Sequence, residues 1–322
     1  MKKYIVRTLW ALLVLLIVGT AVTFWAISEG KIGYMPPIAD LQNPISRYAT
    51  QVLSVDGKLL GTWNMNRENR VMVTYDQLSP CLVEALIATE DARFRDHSGI
   101  DFKALGRAIV KRGLLGNKSA GGGSTLTQQL AKQLYSGVAS STTERMLQKP
   151  IEWVIAVKLE RYYTKDEIIA MYLNYFDFLH NAVGIKTAAN TYFSKEPSEL
   201  TVTEAATLVG LCKNPSYFNP VRFPERSLNR RNVVMQQMVK EGYLSQERYD
   251  SLKDEPLNLR FHANDHKEGQ ATYFRDFLRR YLMAAKPVRS EYPKWNYVKY
   301  VVDSIAWVED PLYGWCNKNK KR

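Results

Sequence analysis

Glu90 stands four residues after Leu86 and eight after Leu82, at the end of an apolar stripe of helical period that Phe94 continues. A carboxylate placed there is partly withdrawn from water, the condition that suits a general base. The plainer reading is a helix-end carboxylate paired with Arg93 or Lys103. His97 and Asp101 close the same segment. A lone histidine after a helix more often makes a structural hydrogen bond than does chemistry, so His97 is expected to brace the loop that holds Glu90.

A second cluster begins at Gly121-Gly122-Gly123-Ser124. Glycines let a backbone approach a ligand closely, and Ser124 suits an N-cap. The helix that it opens would offer free N–H groups and a positive dipole end to phosphate. Thr125, Gln128, Gln129 and Lys132 fall at i, i+3, i+4 and i+7, so one polar face runs down from that end. A flexible loop is the competing reading. Lys111, Arg112 and Lys118 make the preceding stretch basic, and Leu114-Leu115 within it could dip into a bilayer surface. Farther on, Lys149 and Glu152 are three apart and can share a helix face, with Pro150 suited to a first turn. They are an ordinary surface pair or, with Glu90, the second carboxylate common in sugar-transfer sites.

These residues need elements to place them. From Ser79 to Leu252 the helical period dominates. Leu82, Val83, Leu86 and Ile87 form one stripe, Leu126, Leu130 and Leu134 another, and Ile151, Val154, Ile155 and Leu159 a third. Further helices are predicted over 166–175, 203–213 and 226–240, with almost no strand-like alternation between Pro80 and Leu252. Ahead of this region, Gln51–Val55 alternates and is followed by Asp56-Gly57, a hairpin signal. Residues 256–322 mix proline, aromatic and charged side chains, with one helix expected over Thr272–Met283.

Thr8 to Ile27 is almost unbroken apolar sequence, long enough to span a bilayer, with Trp10 and Trp25 near its ends. Lys2, Lys3 and Arg7 precede it, which places the N-terminus in the cytoplasm and the rest of the chain outside. A cleaved signal peptide, with Gly19 and Ala21 as a weak cleavage site, is the alternative, and either way the main domain is exported. The 322 residues carry a net charge of +12, which favours polyanions such as nucleic acid, anionic lipid or pyrophosphate. An exported domain would rarely meet nucleic acid. Cys81, Cys212 and Cys316 form no C-x-x-C or Cys/His cluster that would suggest a metal site, and their odd number in an exported chain argues against a disulfide framework.

Together these residues resemble the family 51 glycosyltransferases, the peptidoglycan polymerase domain of class A penicillin-binding proteins and of monofunctional polymerases. The family's E-D-x-x-F-x-x-H-x-G motif is matched at Glu90, Asp91, Phe94, His97 and Gly99. Its G-x-S-T-x-T-Q-Q motif is matched at Gly122, Ser124, Thr125, Thr127, Gln128 and Gln129, with Lys132 following. Its R-K-x-x-E motif is matched at Lys149 and Glu152, but Gln148 stands where an arginine is expected. Tyr172-Leu173-Asn174, Gly184-Ile185, Ala188-Ala189, Tyr192-Phe193 and Asn214-Pro215-Ser216-Tyr217-Phe218-Asn219-Pro220 are also similar, so the likeness covers about Gln77 to Leu252.

The resemblance implies a mainly α, lysozyme-like glycosyltransferase domain at 76–255, behind a cytoplasmic tip and transmembrane anchor at 1–28. A linker with a small β element at 29–75 would precede it. Residues 256–322 would be a connector toward a missing transpeptidase domain, the chain being a truncated bifunctional protein or a polymerase-only product. The implied reaction is polymerisation of lipid II into glycan strands with release of polyprenyl pyrophosphate, Glu90 acting as base. Glu152 would support the donor site, and a divalent cation, Mg or Mn, could accompany the diphosphate. Substrate would be met by Asp91, Phe94, His97, Lys118, Ser124, Thr125, Gln128, Gln129, Lys132 and Lys149. Lys118 or Arg145 could replace the charge absent at Gln148. No K-T-G motif follows an S-x-x-K, the nearest being Lys186-Thr187-Ala188 inside the polymerase region, so no transpeptidase activity is expected. The membrane and other cell-wall synthesis proteins are the implied partners. A lytic, lysozyme-like enzyme and a membrane scaffold with a dead site are the competing readings.

Overall fold

The apolar run near the N-terminus forms one long helix, α1 (Lys2–Ser28), in the computed structural model of the chain. The structure describes residues 2–42, 50–53, 55–56, 59–63, 71–108, 110, 123–136, 142–262 and 272–319. They are mainly helical and divide into two units, one of residues 1–48 and 68–263, the other of residues 49–67 and 264–322. Helix α1 is long and apolar enough to cross a membrane, and its side chains are exposed along most of its length. Its C-terminal end is different: Ile27 is buried, and Phe24 stacks on Trp153 with ring centroids 6.2 Å apart.

In the first unit a short helix, α2 (Ile38–Gln42), precedes α3 (Pro80–Glu90), which opens on a proline and ends on Glu90. Then come α4 (Phe102–Ala108), α5 (Leu126–Tyr135), α6 (Thr142–Tyr162), α7 (Lys165–Tyr175), α8 (Ile185–Phe193), α9 (Val202–Lys213), α10 (Pro224–Lys240) and α11 (Gln246–Leu252). Helices α7 and α9 each start on a capping box, Thr164 with Glu167 and Thr201 with Glu204, which satisfies the free N–H groups of the first turn.

Helix α9 is the axis of this unit. Every residue from Ala205 to Cys212 is buried, so the helix has no solvent face and packs against both α3 and α10. Helix α5 is held between α6 and α7. Leu82 and Leu86 of the predicted stripe are fully enclosed, and a Leu86→Ala cavity there would cost about 2–5 kcal/mol. Asn174 ties the approach segment to α7: it donates to Val73 O at 2.8 Å and accepts from Val73 N at 3.1 Å.

The second unit holds the hairpin and the C-terminal stretch. Strands β1 (Thr50–Leu53) and β2 (Leu59–Trp63) pair antiparallel, Thr50 opposite Trp63, with an irregularity at Val52/Leu53. Helix α12 (Thr272–Leu282) agrees with the predicted helix. Two further helices, α13 (Tyr297–Glu309) and α14 (Trp315–Lys318), correct the expectation of a single one. Tyr-Val-Lys-Tyr-Val-Val is β-branched and aromatic, which hides a helix from propensity; Asp303 accepts from Tyr292 Oη at 2.8 Å and ties α13 to the turn before it.

Two local expectations are also corrected. Pro150 does not open a helix but sits inside α6, which runs through it from Thr142. Thr125, not Ser124, is the N-cap of α5, its hydroxyl accepting from Gln128 N at 3.2 Å. The three cysteines are free.

Candidate active site

Glu90 ends α3, and α3 stops there because Asp91 leaves helical geometry while its N–H still closes on Ile87 O at 3.1 Å. The carboxylate emerges on three neighbouring helices. Its Oε2 accepts from Gln129 Nε2 of α5 at 3.0 Å, and Gln129 Oε1 accepts from Tyr172 Oη of α7 at 3.1 Å. Burial pushes the Tyr172 phenol well up, so it stays a hydrogen-bond donor. Glu90 Oε1 faces Arg230 Nη2 of α10 at 3.9 Å. The Glu90 side chain keeps 15% of its surface exposed.

Behind this group lies a set of buried braces. Asp91 Oδ2 accepts from Leu126 N at 3.0 Å and from His97 Nε2 at 3.0 Å. Thr125 Oγ1 and Gln128 Nε2 both donate to Gly99 O, at 2.7 and 3.1 Å. Gly99 has φ +87°, and an added Cβ would meet the Ala156 carbonyl oxygen at 3.0 Å, so this turn needs glycine. Lys165 Nζ donates to His97 O at 2.6 Å and to Glu160 at 2.8 Å, and Glu160 also accepts from Thr127 Oγ1 at 2.5 Å. Asp101 pairs with Arg93 and accepts from Ala104 N at 2.9 Å. Burial would raise the Asp101 carboxyl, but these two partners outweigh it and hold it below the ordinary carboxylate range.

Two of the free N–H groups at the start of α5 have protein partners, Leu126 N in Asp91 and Gln128 N in Thr125. Phe94 is fully buried under the Lys165 ammonium, 4.2 Å from its ring centroid. The polar side chains of Asp91, His97, Thr125 and Gln128 thus hold the loop, and Asp91 and Thr125 also line the cavity beside Glu90. His97 does brace the loop that carries Glu90, as expected.

On α6, Lys149 Nζ pairs with Glu152 Oε2 at 2.8 Å and donates to Ser124 Oγ at 3.2 Å. Glu152 is fully buried while Lys149 is about a third exposed. Lys132 lies exposed on α5 and Gln148 is half-buried on α6. Lys118, Gly121, Gly122 and the Leu114-Leu115 pair lie outside the described residues, as does the Arg145 side chain. Among the described residues no three His, Cys, Asp or Glu side chains gather at one point.

A cavity of about 430 Å³ opens beside Glu90, with Arg93, Arg107, Ser124, Lys240 and Glu241 on its walls. Lys240 is paired with Glu241 at 2.7 Å. A larger hollow of about 580 Å³ lies among Lys195, Glu204, Arg248, Glu255 and Arg260. Its Glu204 is tied to Lys195 at 2.8 Å, and none of the motif residues lines it, so the smaller cavity is the candidate site.

Arg230, Tyr172 and Cys212 complete the surroundings of Glu90 without having been singled out from the sequence as site residues. The signal that could have found the arginine is a basic pair, Arg230-Arg231, interrupting the apolar side of a helix that continues through Val234 and Met238. Burial pushes the Cys212 thiol up, with Glu90 adding to it, so it stands as a neutral thiol and not a nucleophile.

The described geometry coincides with a family match. Residues 56–239 match the family model described as "Transglycosylase". Penicillin-binding protein 1A of Escherichia coli is 38% identical over 230 residues, 71% of this chain and 26% of that protein. Penicillin-binding protein 1A of Vibrio cholerae is 34% identical over 302 residues, 94% of this chain and 36% of its own length. Penicillin-binding protein 1F of Bacillus subtilis is 42% identical over 178 residues, 55% of this chain and 24% of its own. The chain thus spans about a quarter to a third of these relatives. A crystal structure of penicillin-binding protein 1A from Haemophilus influenzae overlaps 74% of this chain and 24% of its own, at 25% identity and TM-score 0.39, too loosely to bear on the fold.

Proposed function

The chain belongs to the transglycosylase family, and from that membership and the setting of Glu90 we propose that it polymerises lipid II into glycan strands, releasing polyprenyl pyrophosphate. The observation that carries this reading is the Glu90 carboxylate, held by Gln129 on one oxygen and facing Arg230 with the other, at the wall of a cavity that Ser124, the partner of Lys149, also lines. Glu90 takes the proton of the acceptor's N-acetylglucosamine 4-hydroxyl. That oxygen bonds to the donor's anomeric carbon, and the bond to the pyrophosphate oxygen breaks with its electron pair. In this reading Ser124, Lys132 and Lys149 bind the donor diphosphate, Gln129 fixes the base, and Glu152 fixes Lys149. Charge that develops on a leaving phosphate is stabilised by donors set in advance.

In this proposal α1 spans the cytoplasmic membrane with the N-terminus inside, and residues 76–255 form the extracytoplasmic glycosyltransferase domain. Residues 256–322 are its connector. The substrate's polyprenyl tail then lies in the same bilayer as α1.

The test is polymerisation of labelled lipid II by the detergent-solubilised protein beside its Glu90→Gln variant. Polymer from the wild type, with a loss of at least about a hundredfold in the variant, is the expected outcome. Release of fragments from lipid-free glycan, with no polymer from lipid II, would replace this reading with a lytic one.

A further inference from the structure

Two adjacent arginines of α10 are both withdrawn from solvent, and they are treated very differently. Arg231 is fully buried and gives its guanidinium to backbone carbonyls, Nη1 to Glu255 O at 2.7 Å and Nη2 to Lys253 O at 2.9 Å. That is a structural arginine with its donors satisfied. Arg230 keeps only 10% of its side chain exposed, and its buried Nε has no hydrogen-bond partner. Its nearest carboxylate is Glu90, 3.9 Å away, beyond hydrogen-bonding distance.

The fold makes room for this side chain. Gly210 lies in the buried middle of α9, and a Cβ there would come to 3.1 Å from Arg230 Cγ. The ring centroid of Phe218, from the Asn214–Pro220 stretch, lies 5.8 Å from the guanidinium carbon. A helical glycine and an aromatic ring thus seat one cation behind the carboxylate of the site.

We propose that Arg230 is a positioning residue for Glu90, seated by Gly210 and Phe218 so that its guanidinium sets a fixed positive charge against Oε1 of the base. The inference rests on the reading of Glu90 as the base. Other groups around Glu90 do not supply this charge. Gln129 from α5 is neutral, and Tyr172 from α7 and Cys212 from α9 are held neutral by burial. Asp91, next along the chain, is paired with His97. On the cavity walls Arg93 is paired with Asp101 and Lys240 with Glu241, while Arg107 is exposed to water that screens it. An arginine in this place stays charged at any working pH.

An opposite charge nearby favours the ionised carboxylate, so removing it lets Glu90 take up a proton at higher pH. The experiment is the pH profile of lipid II polymerisation by the full chain in detergent, with kcat, KM and melting temperature for four proteins: wild type, Arg230→Met, Arg230→Lys and Gly210→Ala. Arg230→Met should lower kcat at neutral pH about tenfold, with little change in KM, and move the acid limb up by about one pH unit. Arg230→Lys should recover part of both. Gly210→Ala retains every charge, displaces the arginine stem and should move the limb the same way by less. An acid limb unmoved in Arg230→Met, with lost rate following lost stability, overturns the proposal. Should that variant fail to fold, an unmoved limb in Gly210→Ala overturns it instead. A folded wild type that makes no polymer sinks the reading of the site, and this inference with it.

Discussion

Glu152 has no exposed surface, and its ion pair with Lys149 links it to Ser124. A carboxylate so enclosed depends on its partners, because an uncompensated buried charge is costly. Lys149→Met should therefore destabilise the protein by on the order of 2 kcal/mol, discounted for the part of Lys149 that meets solvent. Thermal melts should show the double variant Lys149→Met/Glu152→Gln recovering some of that loss; a double variant as unstable as the sum of the two singles would remove the coupling. Asp101 gives a pH dependence. Its carboxyl is held low in the fold, so its contribution is present above the unfolded carboxylate pKa and disappears as pH falls through the lower folded value. Asp101→Asn should cost about 1–2 kcal/mol at neutral pH and almost nothing in strong acid, read by melts at both. At this scale the sequence pointed to Glu90, Gln129 and the Lys149–Glu152 pair, because spacing alone puts them on shared faces. It did not show that Thr125 and Gln128 reach Gly99 O, because which way a polar side chain turns depends on a carbonyl from another segment that spacing cannot locate.

Helix α5 works as a platform whose first turn is tied to its neighbours. Thr125 and Gln128 reach back to the Gly99 loop, Asp91 caps Leu126 N, and Thr127 reaches Glu160 of α6. Beyond that turn, half-buried Gln129 reaches Glu90, and Lys132 is exposed. Thr125→Ala should therefore cost about 1–2 kcal/mol of stability, as the loss of an N-cap does. Below its melting temperature KM for lipid II should change little, since the hydroxyl is engaged by Gly99 O; a large rise in KM with an unchanged melt would show direct substrate contact. The helices α3, α7, α9 and α10 were legible because their apolar periods run over several turns. Helix α13 was not, since valine and tyrosine dominate it, and the path of α6 through Pro150 was not, since proline ordinarily reads as a start. Neither failure touches the site, because Lys149 and Glu152 share a face whichever residue opens the helix.

The whole molecule combines a basic sequence, +12 overall, with an apolar N-terminal helix whose last turn is seated on α6. Lys158 Nζ donates to Ser28 O at 3.0 Å, adding a polar clasp to the Phe24–Trp153 stack. A cation on the main domain thus caps a carbonyl at the end of α1, where such carbonyls are otherwise unsatisfied. Trp153→Ala should loosen this seat, and proteolysis between Gly30 and Pro37 should quicken in detergent without loss of the fold.

Helix α6 carries the seat for the anchor and the Lys149–Glu152 pair on one rod. Each residue removed from a helix rotates the chain beyond it by about 100° and withdraws that chain by about 1.5 Å. Deletions within the lipid-facing part of α1 would therefore carry the domain around the bilayer normal like the hand of a clock, and draw it toward the membrane by small steps. If the seat transmits both movements, the rate on a membrane-bound substrate should rise and fall with the helical phase of the deletion. A flexible tether would give no such rhythm.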